Sequence, residues 1–155
     1  MGASELDLAG EVLAAHVIER QATAMATSIH QEVTIKATPQ RIYRAFMTSK
    51  QHEAFTANGK AKISRKVGGA FSAHDGYVSG INVELKPGKR IVQAWRVKGM
   101  PEGVYSIVRF ELKKVRGGTR LVFDQTGLPP EHVGHLSSGW KARYWTPLKA
   151  YLEKK

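Results

Sequence analysis

Cysteine is absent from the 155 residues, which removes disulfides, thiol nucleophiles, iron–sulfur clusters and cysteine zinc sites together. Long apolar runs are also missing. The best stretch, Ala9 to Ile18, is broken by Glu11 and His16 and falls short of the ~18 residues that a membrane span needs. The first residues are acidic, unlike the basic start and apolar centre of a secretory signal, and Leu6 stands where myristoylation wants Ser or Thr. These absences lead to the expectation of a cytoplasmic protein with no membrane segment. Catalytic signatures are equally scarce. Ser137-Ser138-Gly139 is no nucleophile elbow, and Gly68-Gly69 lacks the Lys-Ser/Thr of a phosphate loop. His132 and His135, beside Glu131, have the spacing of two imidazoles on one helical face. Without a HExxH pattern they are read as surface or capping groups, and neither metal nor cofactor is expected.

Acidic residues are few, 13 against 24 Lys plus Arg, for a net charge of +11. The imbalance is uneven: residues 1–28 hold one base and four acids, the remainder 23 bases and nine acids. The basic residues form no run longer than Lys113-Lys114-x-Arg116 and are not interleaved with exposed aromatics. Nucleic acid is therefore not the expected partner and stands only as an alternative. Most of the charge is assigned to a solvated face suited to an acidic protein surface.

At Ile29 the hydropathy begins to alternate: Ile29, Gln31, Val33 and Ile35 oppose His30, Glu32, Thr34 and Lys36, as in a half-buried strand. Thr38-Pro39 then offers an N-cap and a proline at the first helical position, followed by Ile42, Ala45 and Phe46 at helical spacing. A second short helix after Ser49 is expected to end near Asn58-Gly59, glycine taking the left-handed cap. Turn signals at Gly68-Gly69, Asp75-Gly76, Pro87-Gly88, Gly99 to Gly103 and Gly117-Gly118 predict six antiparallel strands, at about 60–66, 70–74, 77–86, 89–98, 104–115 and 119–127. After Pro129-Pro130 a long helix carries Leu136, Trp140, Tyr144, Leu148 and Leu152 in one apolar stripe, and Pro147 is expected to bend it.

Seven strands must cover a single helix stripe, and a curved sheet gripping that helix is the economical solution. The predicted fold is α+β: a seven-stranded antiparallel sheet around a long C-terminal helix, with two short helices after the first strand. It occupies residues 29–155, with residues 1–28 as an extension that is disordered or a short helix, and Met25 an alternative start. Strand parity places Tyr77, Ser79, Ile81, Val83 and Leu85 inward, with Gln93, Trp95, Ser106, Val108, Phe110 and Phe123. The candidate binding residues for a small hydrophobic molecule between sheet and helix are Phe71, Tyr77, Ile81, Val83, Gln93, Trp95, Val108, Phe110, Phe123, Trp140 and Tyr144. Gln93 is the telling member, because an inward amide needs partners that a dry core does not supply. By the same parity Glu84, Glu111 and Asp124 face outward, and His74 and Asp75 sit at a hairpin tip. The inner face is then nearly free of ionisable groups, so no catalytic residue is named and no enzyme activity is expected. A lyase- or cyclase-like enzyme using the cavity is the alternative.

The element order resembles the Bet v 1-like, START-type helix-grip fold. Val67-Gly68-Gly69-Ala70-Phe71, Gly80, the run Leu85 to Arg96, Pro101-Glu102-Gly103, Gly118-Thr119 and Gly139-Trp140 narrow the match. In that order they resemble the SRPBCC family of homologues of the activator of heat-shock protein 90 ATPase, above all the activators' C-terminal domain. The likeness covers about residues 29–153. It implies a non-catalytic role in the stress response, in which the domain binds a small hydrophobic ligand, docks on a chaperone with an acidic surface, or does both.

Overall fold

The computed structural model describes residues 27–154. The expected extension, apart from its last two residues, and the alternative start at Met25 lie outside them. The chain runs through β1 (Ile29–Ile35), α1 (Pro39–Met47), α2 (Ser49–Thr56), β2 (Lys62–Ile63), β3 (Ala70–Ala73), β4 (Val78–Lys86), β5 (Arg90–Val97), β6 (Ser106–Val115) and β7 (Gly118–Thr126). It ends in α3 (Pro130–Trp140), a π-helical turn at Lys141–Trp145 and α4 (Thr146–Glu153). One antiparallel sheet has the order β1-β7-β6-β5-β4-β3-β2, so the first strand closes one edge by pairing with the last. The helix-grip architecture expected from the sequence is the one observed.

Local chemistry fixes the ends of the short helices. Thr38 Oγ1 accepts from the Arg41 N–H at 3.2 Å with Pro39 in the first turn, which is the anticipated cap. The left-handed cap of α2 falls on Ala57, at φ 48°, and not at Asn58-Gly59. The reason lies in the side chains there. The Thr56 hydroxyl donates to the His52 carbonyl at 2.7 Å, and Asn58 is held by His74, so the helix stops a residue or two early.

The terminal helix buries all five residues of the expected stripe, Leu136, Trp140, Tyr144, Leu148 and Leu152. It also buries Trp145, which regular periodicity leaves out. Adjacent residues on an α-helix are about 100° apart, too far for both to face one sheet; the widened π turn at Lys141–Trp145 narrows that angle and turns both Tyr144 and Trp145 inward. The wide turn also precedes Pro147, whose ring would otherwise crowd the carbonyl four residues back. The adjustment expected at Pro147 is therefore made one turn earlier.

Parity holds on β1, β5, β6 and β7 but fails on the first half of β4. Val78, Gly80 and Asn82 are the inward residues there, while Ile81 and Val83 are 44% and 49% exposed and Ser79 faces outward. The register shifts between Asn82 and Glu84, so Val83 is a bulge, and beyond it Leu85 pairs with Ile91 and turns inward as expected. The reading failed because the inner positions are taken by a glycine and an amide. A Cβ on Gly80 would sit 1.9 Å from the Ala94 carbonyl oxygen and 2.6 Å from the Phe71 ring. Backbone at that distance cannot yield, so Gly80→Ala is expected to destabilise the fold by at least about 2 kcal/mol in denaturant unfolding. An effect below about 0.5 kcal/mol would mean that the close approach is not what keeps glycine there.

Candidate functional site

The space between sheet and helix is filled by rings. Trp140 lies with its ring centroid 4.4 Å from Phe123 and 5.5 Å from Trp95, and Phe110 packs between Phe46 and Phe123. Only a cavity of about 20 Å³ remains inside, against the several hundred Å³ that an enclosed drug-sized ligand needs. Beside it opens a cleft of about 390 Å³, which shares the walls Val78, Trp95, Trp140 and Tyr144 and adds His74, Tyr77, His135 and Arg143. The roomy space is thus at the mouth of the sheet–helix seam and not within it.

Three buried polar threads cross this region. The Trp140 indole donates to Gln125 Oε1 at 2.8 Å, Gln125 Nε2 to Ser106 Oγ at 2.9 Å, and Ser106 Oγ to the Trp95 carbonyl at 3.1 Å, tying α3 to β7, β6 and β5. Asn82 Nδ2 donates to the carbonyls of Ser64 and Lys66, and its oxygen accepts from Gln93 Nε2 at 3.0 Å. In the third thread the Tyr144 hydroxyl stands between two imidazoles, 3.0 Å from His52 Nε2 and 2.8 Å from His74 Nε2, while His74 Nδ1 meets the Asn58 carbonyl at 3.1 Å.

Of this third thread the sequence reading named only Tyr144 as a site residue and missed the two histidines. The inner face does carry titratable groups: His52 from α2, His74 from the β3–β4 turn and Tyr144 from the π turn. Strand parity could not reveal the histidines, because neither lies on a strand. His52 is 5% exposed. Burial first, and then the neighbouring His74, push its pKa down to about 3, so it is neutral at physiological pH. Burial also lowers the pKa of His74, with Arg143 adding to it, while the Asn58 carbonyl and Asp75 oppose. Burial lifts the pKa of Tyr144 far above its ordinary value. No ionised group is therefore stored here.

The sequence-nominated residues divide among several places. Phe71, Gln93, Trp95, Phe110, Trp140 and Tyr144 line the small cavity, and Tyr77 joins Trp95, Trp140 and Tyr144 in the cleft. Val108 and Phe123 are fully buried in the core. Ile81 and Val83 lie on the opposite, outer face of the sheet, where the β4 bulge puts them, and are removed from the site. His132 and His135 lie 3.5 Å apart at exposed positions, and the described residues hold no group of three or more His, Cys, Asp or Glu placed to bind a metal.

Comparison with known sequences now places the chain. The model of the family described as activator of Hsp90 ATPase homolog 1-like protein matches residues 36–153. The chain belongs to that family. It is 33% identical over 122 residues to activator of 90 kDa heat shock protein ATPase homolog 1 of Homo sapiens, a match covering 76% of this chain and 36% of that protein. A Dictyostelium discoideum homolog is 32% identical over 108 residues, covering 68% of this chain and 28% of its own. The chain thus spans about a third of the length of the curated activators it matches. Among solved structures, an HSP90 activator from Plasmodium falciparum superposes with a TM-score of 0.77 at 21% identity, covering 82% of this chain and 96% of that one. The Aha1 dimer from Colwellia psychrerythraea gives 0.71 at 23% identity, with 82% and 96% coverage. These likenesses show that the activator-type helix-grip fold read from the sequence is the right one.

The lowered histidine pKa values make acid a weakness of this family member. A histidine whose pKa is depressed by folding binds a proton more readily when unfolded, so stability is lost as pH falls below about 6.5. Each such group contributes a slope of about 1.4 kcal/mol per pH unit. Solvent-exposed His30, held between Asp124 and Glu32, has its pKa raised and acts in the opposite sense. In a His30→Gln background, unfolding free energy is expected to fall between about pH 6 and 4.5, and His52→Phe to remove about one proton's worth of that slope. An unchanged slope in the double variant would show that His52 is not held neutral.

Proposed function

We propose that this chain is a non-catalytic domain that docks on an Hsp90-type chaperone and raises its ATPase activity. The observation carrying this reading is the 33% identity over 122 residues to a protein named as an activator of that ATPase. Two physical features support it. The inner face offers no charged catalytic group, since its histidines and tyrosine are held neutral and bonded to one another. Basic residues outnumber acidic ones 23 to nine beyond residue 28, and exposed ones such as Lys60, Lys62, Lys113 and Lys114 would steer an acidic partner. With the matching chaperone at about 0.05 M salt, addition of this protein is expected to increase ATP turnover, and the increase to fade toward about 0.5 M salt as screening sets in. No stimulation at low salt would overturn the reading.

A second reading is favoured by the cleft: it takes up a small hydrophobic molecule against Tyr77, Trp95, Trp140 and the apolar part of Tyr144. Its volume of about 390 Å³ falls in the range that small-molecule sites occupy. Titrating fatty acids or flavonoids into a Trp145→Phe variant, which leaves Trp95 and Trp140 as the reporters, is expected to change tryptophan emission saturably. Emission that does not respond to either class would exclude a ligand of this kind from the cleft.

A further inference from the structure

The polar groups around the small cavity can be assigned donor and acceptor roles without appeal to any ligand, because each thread ends on a backbone carbonyl, which can only accept. The Asn58 backbone carbonyl at 3.1 Å can only accept and so assigns the proton to His74 Nδ1; the Asn58 side chain, whose Nδ2 is placed 3.0 Å from the same nitrogen, is then assigned the flipped orientation with its oxygen there. His74 Nε2 is left as a lone pair, which accepts from the Tyr144 hydroxyl at 2.8 Å. With its proton spent there, the Tyr144 oxygen accepts from His52 Nε2–H at 3.0 Å. His52 Nδ1 is therefore a bare lone pair. It is buried and has no partner among the described residues, and His52 is a wall of the cavity.

The second thread ends in the same place. The carbonyls of Ser64 and Lys66 oblige Asn82 to donate with Nδ2, so its oxygen faces Gln93, which must answer with Nε2. The Gln93 carbonyl oxygen is thus the end left over, on another wall of the cavity. The polar hydrogens remaining on these walls are the second N–H of Gln93 Nε2 and the Trp95 indole N–H, for neither of which a hydrogen bond is found among the described residues. Acceptors and donors thus both occur among the residues lining a space of about 20 Å³, and a space of that size holds one water or one hydroxyl.

We propose that this cavity is a binding site for a single O–H group that donates to His52 Nδ1, with the His74–Tyr144–His52 chain fixing the imidazole as the acceptor. The hydroxyl belongs either to an internal water or to the tip of a molecule lying in the adjoining cleft, since cavity and cleft share Val78, Trp95, Trp140 and Tyr144 as walls. Only the second source rests on the cleft taking a ligand. A site of this kind discriminates. An isostere without the hydroxyl leaves His52 Nδ1 buried and unpaired, which disfavours it by about tenfold or more.

Imidazole 15N NMR of the full chain reads the nitrogen concerned, with phenol and its hydroxyl-free counterpart toluene as probes. The expected spectrum shows His52 protonated at Nε2 and hydrogen-bonded as an acceptor at Nδ1. A cross-peak from Nδ1's neighbours to water that phenol leaves unchanged identifies the water, and supports the site even if the cleft binds nothing. A Nδ1 shift that moves with phenol and not with toluene identifies a ligand hydroxyl. Tyr144→Phe is expected to free the His52 tautomer, and Gln93→Leu to weaken the bound O–H while leaving that tautomer in place. His52 protonated at Nδ1, or a Nδ1 lone pair with no hydrogen bond in the presence of both water and phenol, would overturn the proposal.

Discussion

One geometric demand governs this molecule: a seven-stranded sheet has to close over the face of a single helix. A helix presents a narrow apolar stripe, while the sheet offers a broad concave surface, so aliphatic side chains alone would leave a gap along the seam. The chain closes it with large rings. Trp140, Tyr144 and Trp145 from the terminal helix meet Phe110, Phe123 and Trp95 from the sheet and Phe46 from α1. Two backbone devices make room for them. Gly80 lets the Phe71 ring lie on β4, and the π turn brings two adjacent rings to one face. Both devices depart from regular strand and helix, and both exist because the rings must fit.

Rings fill space efficiently but leave their polar edges to be satisfied, which explains why buried amides and a buried serine accompany them. The Trp140 and Trp145 indoles find acceptors in the Gln125 and Gln31 side chains, Ser106 donates to the Trp95 carbonyl, and the amides of Gln125 and Gln93 are met in turn by Ser106 and Asn82. An unmet group in such a place costs about 1–3 kcal/mol, so the networks are carried through to backbone carbonyls wherever the chain permits. The third thread leaves a fully buried atom unmet, Nδ1 of His52. That imidazole remains neutral for the same reason that the rings are there: the surroundings are too apolar to hold a charge.

How far the sequence reached is instructive. Periodicity of two on β1 and β5 to β7, and of nearly four on the terminal helix, was enough for the fold, because on those elements the apolar residues do face the core. The same logic misplaced Ile81 and Val83. Hydropathy assumes that the inward residue is the greasy one, whereas on β4 the inward positions are filled by Gly80, valued for having no side chain, and Asn82, valued for its hydrogen bonds. Gln93 was found because an inward amide on a regular strand is conspicuous. His52 and His74 were not, since one sits on a short helix and the other at a turn, and only tertiary packing brings them within reach of Tyr144. Only Tyr144, on the helical stripe, left a periodic signal; a residue on a short helix and one at a turn leave none.

The charge follows the same division between what is locked and what is free. On the outer sheet face Glu32, Glu84, Glu111 and Asp124 pair with Arg120, Arg90, Arg109 and His30. Glu53, Asp75 and Glu153 each accept from a backbone N–H, of Ala61, Lys60 and Lys36 respectively. Seven of the nine acids outside residues 1–28 are thereby committed to holding the fold. The cations are not consumed to match. Lys60, Lys62, Arg65 and Lys66 around the edge strand β2, and Lys113, Lys114 and Arg116 at the β6–β7 turn, are exposed and have no ion partner among the described residues. These seven cations form two basic regions at the margins of the sheet. Exposed charges act over roughly a Debye length, about 8–10 Å at ordinary salt, so these margins would steer an acidic partner of the kind proposed. The largely neutral seam contributes shape and hydrogen bonding.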